Sequence, residues 1–467
     1  MVDQYPLWND YWEDKKPKLR NITVPMYATA SYSTGLHTEG SLRGFQLASS
    51  TEKWLRWTTT QEWHDIYQKE NIDDLQKFVD KYMKGIDNGW EKTPRIRQSM
   101  LGYNRPSVVN RPATEYPPTD FRHETLYLDA ATGALTEAQV SEEANSVYQA
   151  DSSTDEGSFF THKFHEYTEL CGISKVKLFM STDDHNDMGS QQYCPAAIKH
   201  SISYLQDVYV VLRKLDKTGT PLWHQNIPMK DLPPGTQPSD IPNGNVWRYV
   251  GPSGRLRASH REVIPEELPN LSTAEYNDLM GPAYVYHPHT SEQKLAKGEI
   301  VELEMSLWPG GIVFDAGEAM RLEVKGGQPI LPEFEGLERV WRGRLEANIR
   351  LRTGPDDTLE FVALKLQQQF IEDSAHDYAG MREIVRGSST WLKGAEDFGW
   401  RMAVQQEEVH NFEFLGKKNR ISVFEHDFLP RSRSEIYATP KDVTARPPAR
   451  NLGSGESDLE DTDAGFG

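Results

Sequence analysis

The stretch from Gly298 to Gly326 constrains the fold of this chain more than any other. Apolar residues alternate with polar ones over its first part, at Val301, Leu303, Met305 and Leu307. The same alternation returns at Met320, Leu322 and Val324. A period of two is typical of a strand with one face in a core. We expect two half-buried strands with a turn at Pro309-Gly310-Gly311, in an antiparallel sandwich or barrel.

Length and charge bound the class of protein. A chain of 467 residues has room for two or three domains that each bury a core. The formal net charge of −19 and the lack of long basic runs argue against nucleic acid as a partner. With only Cys171 and Cys194, the chain has too few cysteines for a disulfide framework or a zinc site.

No run of about 18 apolar residues is present, so no membrane span or membrane partner is expected. The first residues, MVDQYPLWNDYWEDKKPK, are polar and acidic, whereas a signal peptide would be basic and then apolar. The default localisation is therefore cytoplasmic.

The first 115 residues have an α/β pattern. Short strands are predicted at Ile22–Ala28 and Lys53–Trp57, and a helix at Glu39–Leu47. A second helix is predicted from Asp73 to Lys84, with Gly85 past its end. Because strands and helices alternate, we expect the strands to be parallel.

From residue 116 to 370 the pattern becomes all-β. Strand-like runs without long helical patterns occur at Leu126–Leu128, Val176–Met180 and Val208–Leu212. Residues 371–437 form an unassigned α+β segment. The tail 438–467 is acidic and poor in aromatic and β-branched residues, so we expect disorder there.

Several motifs resemble the serine hydrolase family of the cocaine esterase and X-Pro dipeptidyl-peptidase type. The closest are Val208-Tyr209-Val210-Val211-Leu212-Arg213-Lys214-Leu215-Asp216, Leu307-Trp308-Pro309-Gly310-Gly311 and Phe314-Asp315-Ala316-Gly317-Glu318. In that family an α/β-hydrolase domain precedes a C-terminal jelly-roll β-sandwich. The resemblance implies the last part of a hydrolase domain in residues 1–115 and the jelly-roll sandwich in residues 116–370.

An acyl-transfer mechanism in this fold needs a Ser nucleophile, a His base and an orienting carboxylate, in the chain order Ser, Asp, His. We find no G-x-S-x-G elbow; Gly455-Glu456-Ser457, in the tail, is the nearest sequence. The order places the nucleophile before Tyr11. We therefore expect the chain to be incomplete and inactive.

The two other catalytic positions look substituted. By the resemblance, the acid position is occupied by Thr34 and the His position by Thr58. Threonine can neither orient an imidazolium by charge nor act as a base at neutral pH. Two histidines could replace the base: His37, which we interpret as structural, and His64, a loop histidine beside Trp63.

Residues Gly189–Gln206 interrupt what the resemblance implies to be one strand region. A translated intron and a genuine surface insertion are the two interpretations. Two groups of residues before this segment could hold a metal: His162 with His165, and the acidic run Asp183–Asp187. Neither has a full ligand set at a known spacing. We interpret both as solvated loops and expect no cofactor and no metal.

Two functions remain open. The first is a member of this serine hydrolase family, whose complete form would act on a peptide or ester substrate and could be a homo-oligomer. The second is a non-catalytic binding or scaffold protein that uses the β-sandwich.

Overall fold

The computed structural model describes residues 4–33, 37–150, 156–182, 207–242, 244, 246–326 and 348–366. Several sequence-based expectations lie outside the described residues: those for Thr34, Asp183–Asp187, Gly189–Gln206, residues 371–437 and residues 438–467. All that follows concerns the described part of the chain.

The N-terminal part forms an α/β sheet. Its elements are α1 (Asp10–Lys15), β1 (Met26–Ser31), α2 (Thr38–Leu47), β2 (Lys53–Thr58), α3 (Glu62–Ile66), α4 (Lys69–Lys84), β3 (Ile96–Met100) and β4 (Val108–Ala113). The strand order is β1-β2-β3-β4. The first three strands are parallel, as the sequence predicts, and β4 closes the sheet antiparallel to β3.

Helix α4 packs against this sheet through aromatic rings. Phe78 contacts Trp54, Tyr82 and Trp90, with ring centroids 5.0 to 6.1 Å apart. The helix ends at Gly85 in a left-handed conformation (φ 68°), as predicted. It begins at Lys69, four residues before the predicted start, because Gln68 is its N-cap and the first turn is polar.

The second sheet contains the strands β5 (Arg122–Asp129), β6 (Ala134–Thr136), β7 (Ala144–Gln149), β8 (Ser158–Lys163), β9 (Tyr167–Thr182), β10 (Asp207–Leu215), β13 (Ser253–Arg257), β14 (Val301–Phe314), β15 (Ala319–Lys325), β16 (Asn348–Thr353) and β17 (Thr358–Leu366). A separate two-stranded ribbon joins β11 (His224–Gln225) to β12 (Arg248–Tyr249). The inward side chains of this sheet form one apolar cluster, so it folds over on itself as a β-sandwich.

The stretch Gly298–Gly326 forms strands, but the predicted turn at Pro309-Gly310-Gly311 is wrong. Strand β14 continues through these residues, and its pairing with β9 shifts register between Leu307 and Gly310. Such a bulge accommodates a proline within a ladder. The chain turns only at residues 315–318, and β15 then pairs with β8 and β10 rather than with β14.

The region predicted as all-β also contains a helix, α5 (Thr273–Met280). Ser272 and Glu275 form a capping box at its start, with the Ser272 hydroxyl accepting from the Glu275 amide at 3.3 Å. The Ser-x-x-Glu spacing was available in the sequence as a helix start signal.

The two parts of the protein share a buried boundary. Gly311 of β14 lies against the ring of Tyr32, which stacks on Trp57 with ring centroids 4.4 Å apart. Nearby, Arg111 of β4 donates two hydrogen bonds, of 2.5 and 2.7 Å, to the Glu169 carboxylate of β9. The boundary thus combines aromatic packing with a buried ion pair.

Candidate functional site

The carboxyl ends of β1 and β2 meet at one edge of the sheet, where catalytic residues of α/β folds gather. Ser31 and Thr58 are register partners there, and both are buried. The Ser31 hydroxyl donates to the Thr60 carbonyl at 2.7 Å and lies 2.9 Å from the Ser33 hydroxyl. This edge is therefore lined by small hydroxyl side chains.

The structure makes Thr58 part of the local backbone architecture. Its hydroxyl donates to the Thr60 carbonyl at 2.8 Å and accepts from the Thr60 amide at 3.2 Å. With both roles of the hydroxyl used, Thr58 orders the turn after β2. The partner position, Thr34, lies outside the described residues.

His37 is exposed and precedes α2 as its N-cap residue. Its carbonyl accepts the Ser41 hydroxyl at 2.8 Å, while its side chain makes no capping hydrogen bond. The structural interpretation of His37 stays a prediction.

His64 lies within helix α3, so its prediction as a loop residue is wrong. Its Nε2 atom is 3.2 Å from the Asp231 carboxylate and 3.2 Å from the Gln68 amide nitrogen. Among the described hydrogen bonds of His64 none involves Ser31 or Thr58. The imidazole instead connects α3 to the turn at 229–231, which lies between β11 and β12.

A histidine that the sequence did not indicate contacts the residue after β2. His224 of β11 has its Nε2 atom 2.8 Å from the Thr59 carbonyl. Burial lowers the pKa of His224 to about 4, so the ring is neutral at physiological pH and a weak base. Because β11 is more than 160 residues away in sequence, no local signal could reveal this contact.

The carboxylates beside the sheet are held in ion pairs. Arg56 of β2 forms a buried pair with Asp65, and Arg97 of β3 pairs with Asp74 at 2.7 Å. The Arg97 guanidinium and hydrogen bonds hold the pKa of Asp74 below its usual value despite burial. Asp80 of α4 is partly exposed and pairs with Lys84 at 2.6 Å. These acids stabilise the fold of this part.

A cleft of about 770 Å³ lies between the N-terminal part and the sandwich. Trp8, Tyr286 and Trp308 contribute partly exposed aromatic faces to its wall. Glu266 at its base is nearly fully buried; its carboxylate pairs with Arg43 and, at 2.8 Å, with Lys16. The volume is within the range of small-molecule sites.

The described residues contain no group of three His, Cys, Asp or Glu side chains arranged to hold a metal ion. Nor does any described helix combine the length and apolar character that a membrane crossing requires.

Residues 88–332 match the family of the X-Pro dipeptidyl-peptidase C-terminal non-catalytic domain. This match covers more than half of the chain. The chain belongs to this family. No curated protein sequence gives a significant match.

Two crystal structures of a CocE/NonD family hydrolase from Staphylococcus aureus resemble this chain, with TM-scores of 0.62 and 0.63 at 26% identity. The superpositions cover 77% and 78% of this chain and 58% of the hydrolase. The chain thus spans less than two thirds of the length of that hydrolase. The predicted combination of part of an α/β-hydrolase domain with a β-sandwich is confirmed.

Proposed function

We propose that this chain is the sandwich-bearing portion of an acyl esterase or X-Pro dipeptidyl-peptidase type serine hydrolase, and that it does not hydrolyse substrates by itself. The sandwich in this proposal is of the jelly-roll type. The observation that carries it is the edge formed by Ser31 and Thr58, where the hydroxyls bond to the Thr60 backbone. A triad needs a base and a carboxylate at such an edge.

The unpaired edge of the first sheet supports the proposal that this sheet needs a further strand from additional chain. Strand β1 pairs with β2 alone among the described strands, and its residues 26–29 are partly or fully exposed. It carries no charged residue, the usual protection of a free edge. A further parallel strand would satisfy its free backbone groups, because β1, β2 and β3 already run parallel.

Active-site labelling tests this proposal directly. The full chain is incubated with a fluorophosphonate probe and, separately, with an activated ester, beside a CocE/NonD family hydrolase as the positive control. We expect neither labelling nor an initial burst from this chain, because the described hydrogen bonds of Ser31 and Ser33 include none to a histidine that could activate the hydroxyl. Stoichiometric labelling that is lost in Ser31→Ala or Ser33→Ala would overturn the proposal.

The cleft favours a second candidate, a binding role for the sandwich. Its partly exposed aromatic faces and its paired charges provide apolar contacts and fixed polar groups, the usual composition of a ligand site. Binding of an X-Pro dipeptide, followed by tryptophan fluorescence, tests this role. A saturable signal that disappears in Trp308→Ala, in a chain that fails the labelling test, would favour it.

A further inference from the structure

Three histidine rings meet beside the wall of the cleft. The rings of His260 and His289 lie 5.4 Å apart, edge to face, and those of His287 and His289 lie 6.0 Å apart. His260 is buried and ends the turn at 258–260, while His289 is exposed. The Nδ1 atom of His287 is 2.9 Å from the Glu262 carbonyl. We call His260, His287 and His289 the histidine cluster.

The histidine cluster does not have the arrangement of a metal site, since no trio of metal-ligating side chains in the described residues converges. The His260 and His289 rings pack edge to face, and the His287 and His289 rings pack at a tilt. The cluster is therefore best understood through its protonation.

The backbone of the histidine cluster holds the N-terminal segment, residues 4–21. The Trp8 amide donates to the His289 carbonyl at 2.9 Å. At the end of α1, the Lys16 Nζ atom lies 5.9 Å from the centre of the Trp8 ring and 5.8 Å from the centre of the Tyr286 ring. His289 also adopts a positive φ of 52°, a conformation that costs energy for a residue other than glycine.

The charged groups around the histidine cluster are of both signs. Glu292 lies 3.8 Å from the His260 Nε2 atom, and the positive charge of Arg257 acts on His289. Other titratable or charged residues near it in the described part of the chain, several of them lining the cleft, include Glu13, Lys16, Arg43, Arg255, Arg261, Glu262, Glu266, Glu267 and Glu304.

We propose that the histidine cluster is a pH-sensitive clasp. With neutral rings, residues 285–289 and the N-terminal segment stay docked on the sandwich. With protonated rings, the like charges of His260 and His289, whose ring centroids lie 5.4 Å apart, push residues 285–289 away from the turn at 258–260 and open the cleft. Glu292 offsets part of the charge on His260, whereas Arg257 adds to the repulsion. The clasp does not depend on the proposed function.

The pKa values support the direction of this switch. Burial, and then the neighbouring histidines and Arg257, lower the pKa of His289; burial lowers that of His287. Since these pKa values lie below the unfolded value of about 6.5, the open form binds more protons. The docked form is therefore favoured above about pH 6.5 and loses stability as the pH falls towards the lowered values.

Amide hydrogen exchange of the full chain, corrected for intrinsic rates, tests the clasp at pH 7.5 and pH 5.5. We expect exchange in residues 4–21 to become about tenfold faster at pH 5.5, with strand β14 unchanged. The double variant His260→Gln/His289→Gln should lose this acceleration. His162→Gln is the matched control, because burial lowers the pKa of His162 too, at a site on β8.

Equal exchange of residues 4–21 at the two pH values would overturn the clasp, as would an acceleration that the double variant retains. If the double variant does not fold, the single change His289→Gln at the exposed member serves instead, and an unchanged acceleration there contradicts the proposal. Acceleration over the whole chain, β14 included, would indicate global acid unfolding and also overturn it.

Discussion

The ammonium group of Lys214 lies 2.8 Å from the Glu318 carboxylate, and both side chains are almost completely buried. Lys214 also donates to the Gly102 and Val313 carbonyls at 3.1 and 2.7 Å. Glu318 accepts the Asn104 side-chain amide at 2.7 Å. Lys214 belongs to the motif Val208–Asp216 and Glu318 to the motif Phe314–Glu318, so the ion pair brings two of the sequence motifs together. It fastens the loop between β3 and β4, which contains Gly102 and Asn104, to the sandwich.

Replacing Lys214 with Met should destabilise the protein by about 3–5 kcal/mol, because the Glu318 carboxylate would remain buried without its partner. Urea unfolding measures this change. Lys69→Ala, which removes an exposed pair with Asp73, is the control and should cost less than about 0.5 kcal/mol. Equal stability losses in the two variants would contradict a structural role for the buried pair.

Gly311→Ala should destabilise the protein by about 1–3 kcal/mol, because a Cβ there would lie 2.5 Å from the Tyr32 ring. Gly44→Ala is the matched control, since Gly44 lies inside α2 and the added carbon would meet no atom within 4 Å apart from its chain neighbours and the backbone of its own helix. It should stabilise by about 0.5–1 kcal/mol through helix propensity. Thermal unfolding of both variants would show opposite signs; a neutral Gly311→Ala would disprove the tight contact.

Asp357 should make stability fall as the pH rises from about 4 to 7. Burial raises its pKa to about 7, although its carboxylate accepts from the Gly354 and Phe179 amides at 2.8 and 3.2 Å. Between the unfolded and folded pKa values the native state binds more protons, so unfolding becomes easier by up to about 1.4 kcal/mol per pH unit.

Urea titrations at pH 4.5, 5.5 and 6.5 measure this slope for Asp357. Asp357→Asn should remove the slope whatever its effect on absolute stability, while exposed Asp14→Asn should keep it. A slope shared by the wild type and Asp357→Asn would assign it to other groups.

The thiol of Cys171 should resist alkylation in the native protein. Cys171 is fully buried, and burial raises the pKa of its thiol well above the usual range. Iodoacetamide labelling, followed by mass spectrometry of the Cys171 peptide, should be at least about tenfold slower than in urea. Comparable rates in the two conditions would show that the boundary around Cys171 opens readily.

Local pattern predicted much of the fold. The helix at Glu39–Leu47 and the strand at Lys53–Trp57 agree with α2 and β2 to within one residue at each end. The strand predicted at Ile22–Ala28 begins four residues late, at Met26, since Pro25 lacks an amide for the ladder and precedes it. The interiors of these elements were therefore predicted more closely than some of their ends.

The candidate site was only partly predictable. The motifs led to the family and to Thr58, whose location at the end of β2 follows from the strand pattern. His224 could not be found, because its contact with Thr59 depends on how the β11–β12 ribbon docks on the first sheet. The bulge at Leu307 to Gly310 was equally hidden, since Pro-Gly-Gly is typical of turns and only pairing with β9 keeps the strand going.

The sequence by itself determined the family, through its motifs. It also determined the α/β beginning and the alternating strands of the sandwich, because both follow from the periodicity of apolar residues. Tertiary structure alone decided which distant side chains meet: Lys214 with Glu318, Arg111 with Glu169, and the three rings of the histidine cluster. A buried charge is stable only beside its partner, and that partner is chosen by packing in three dimensions.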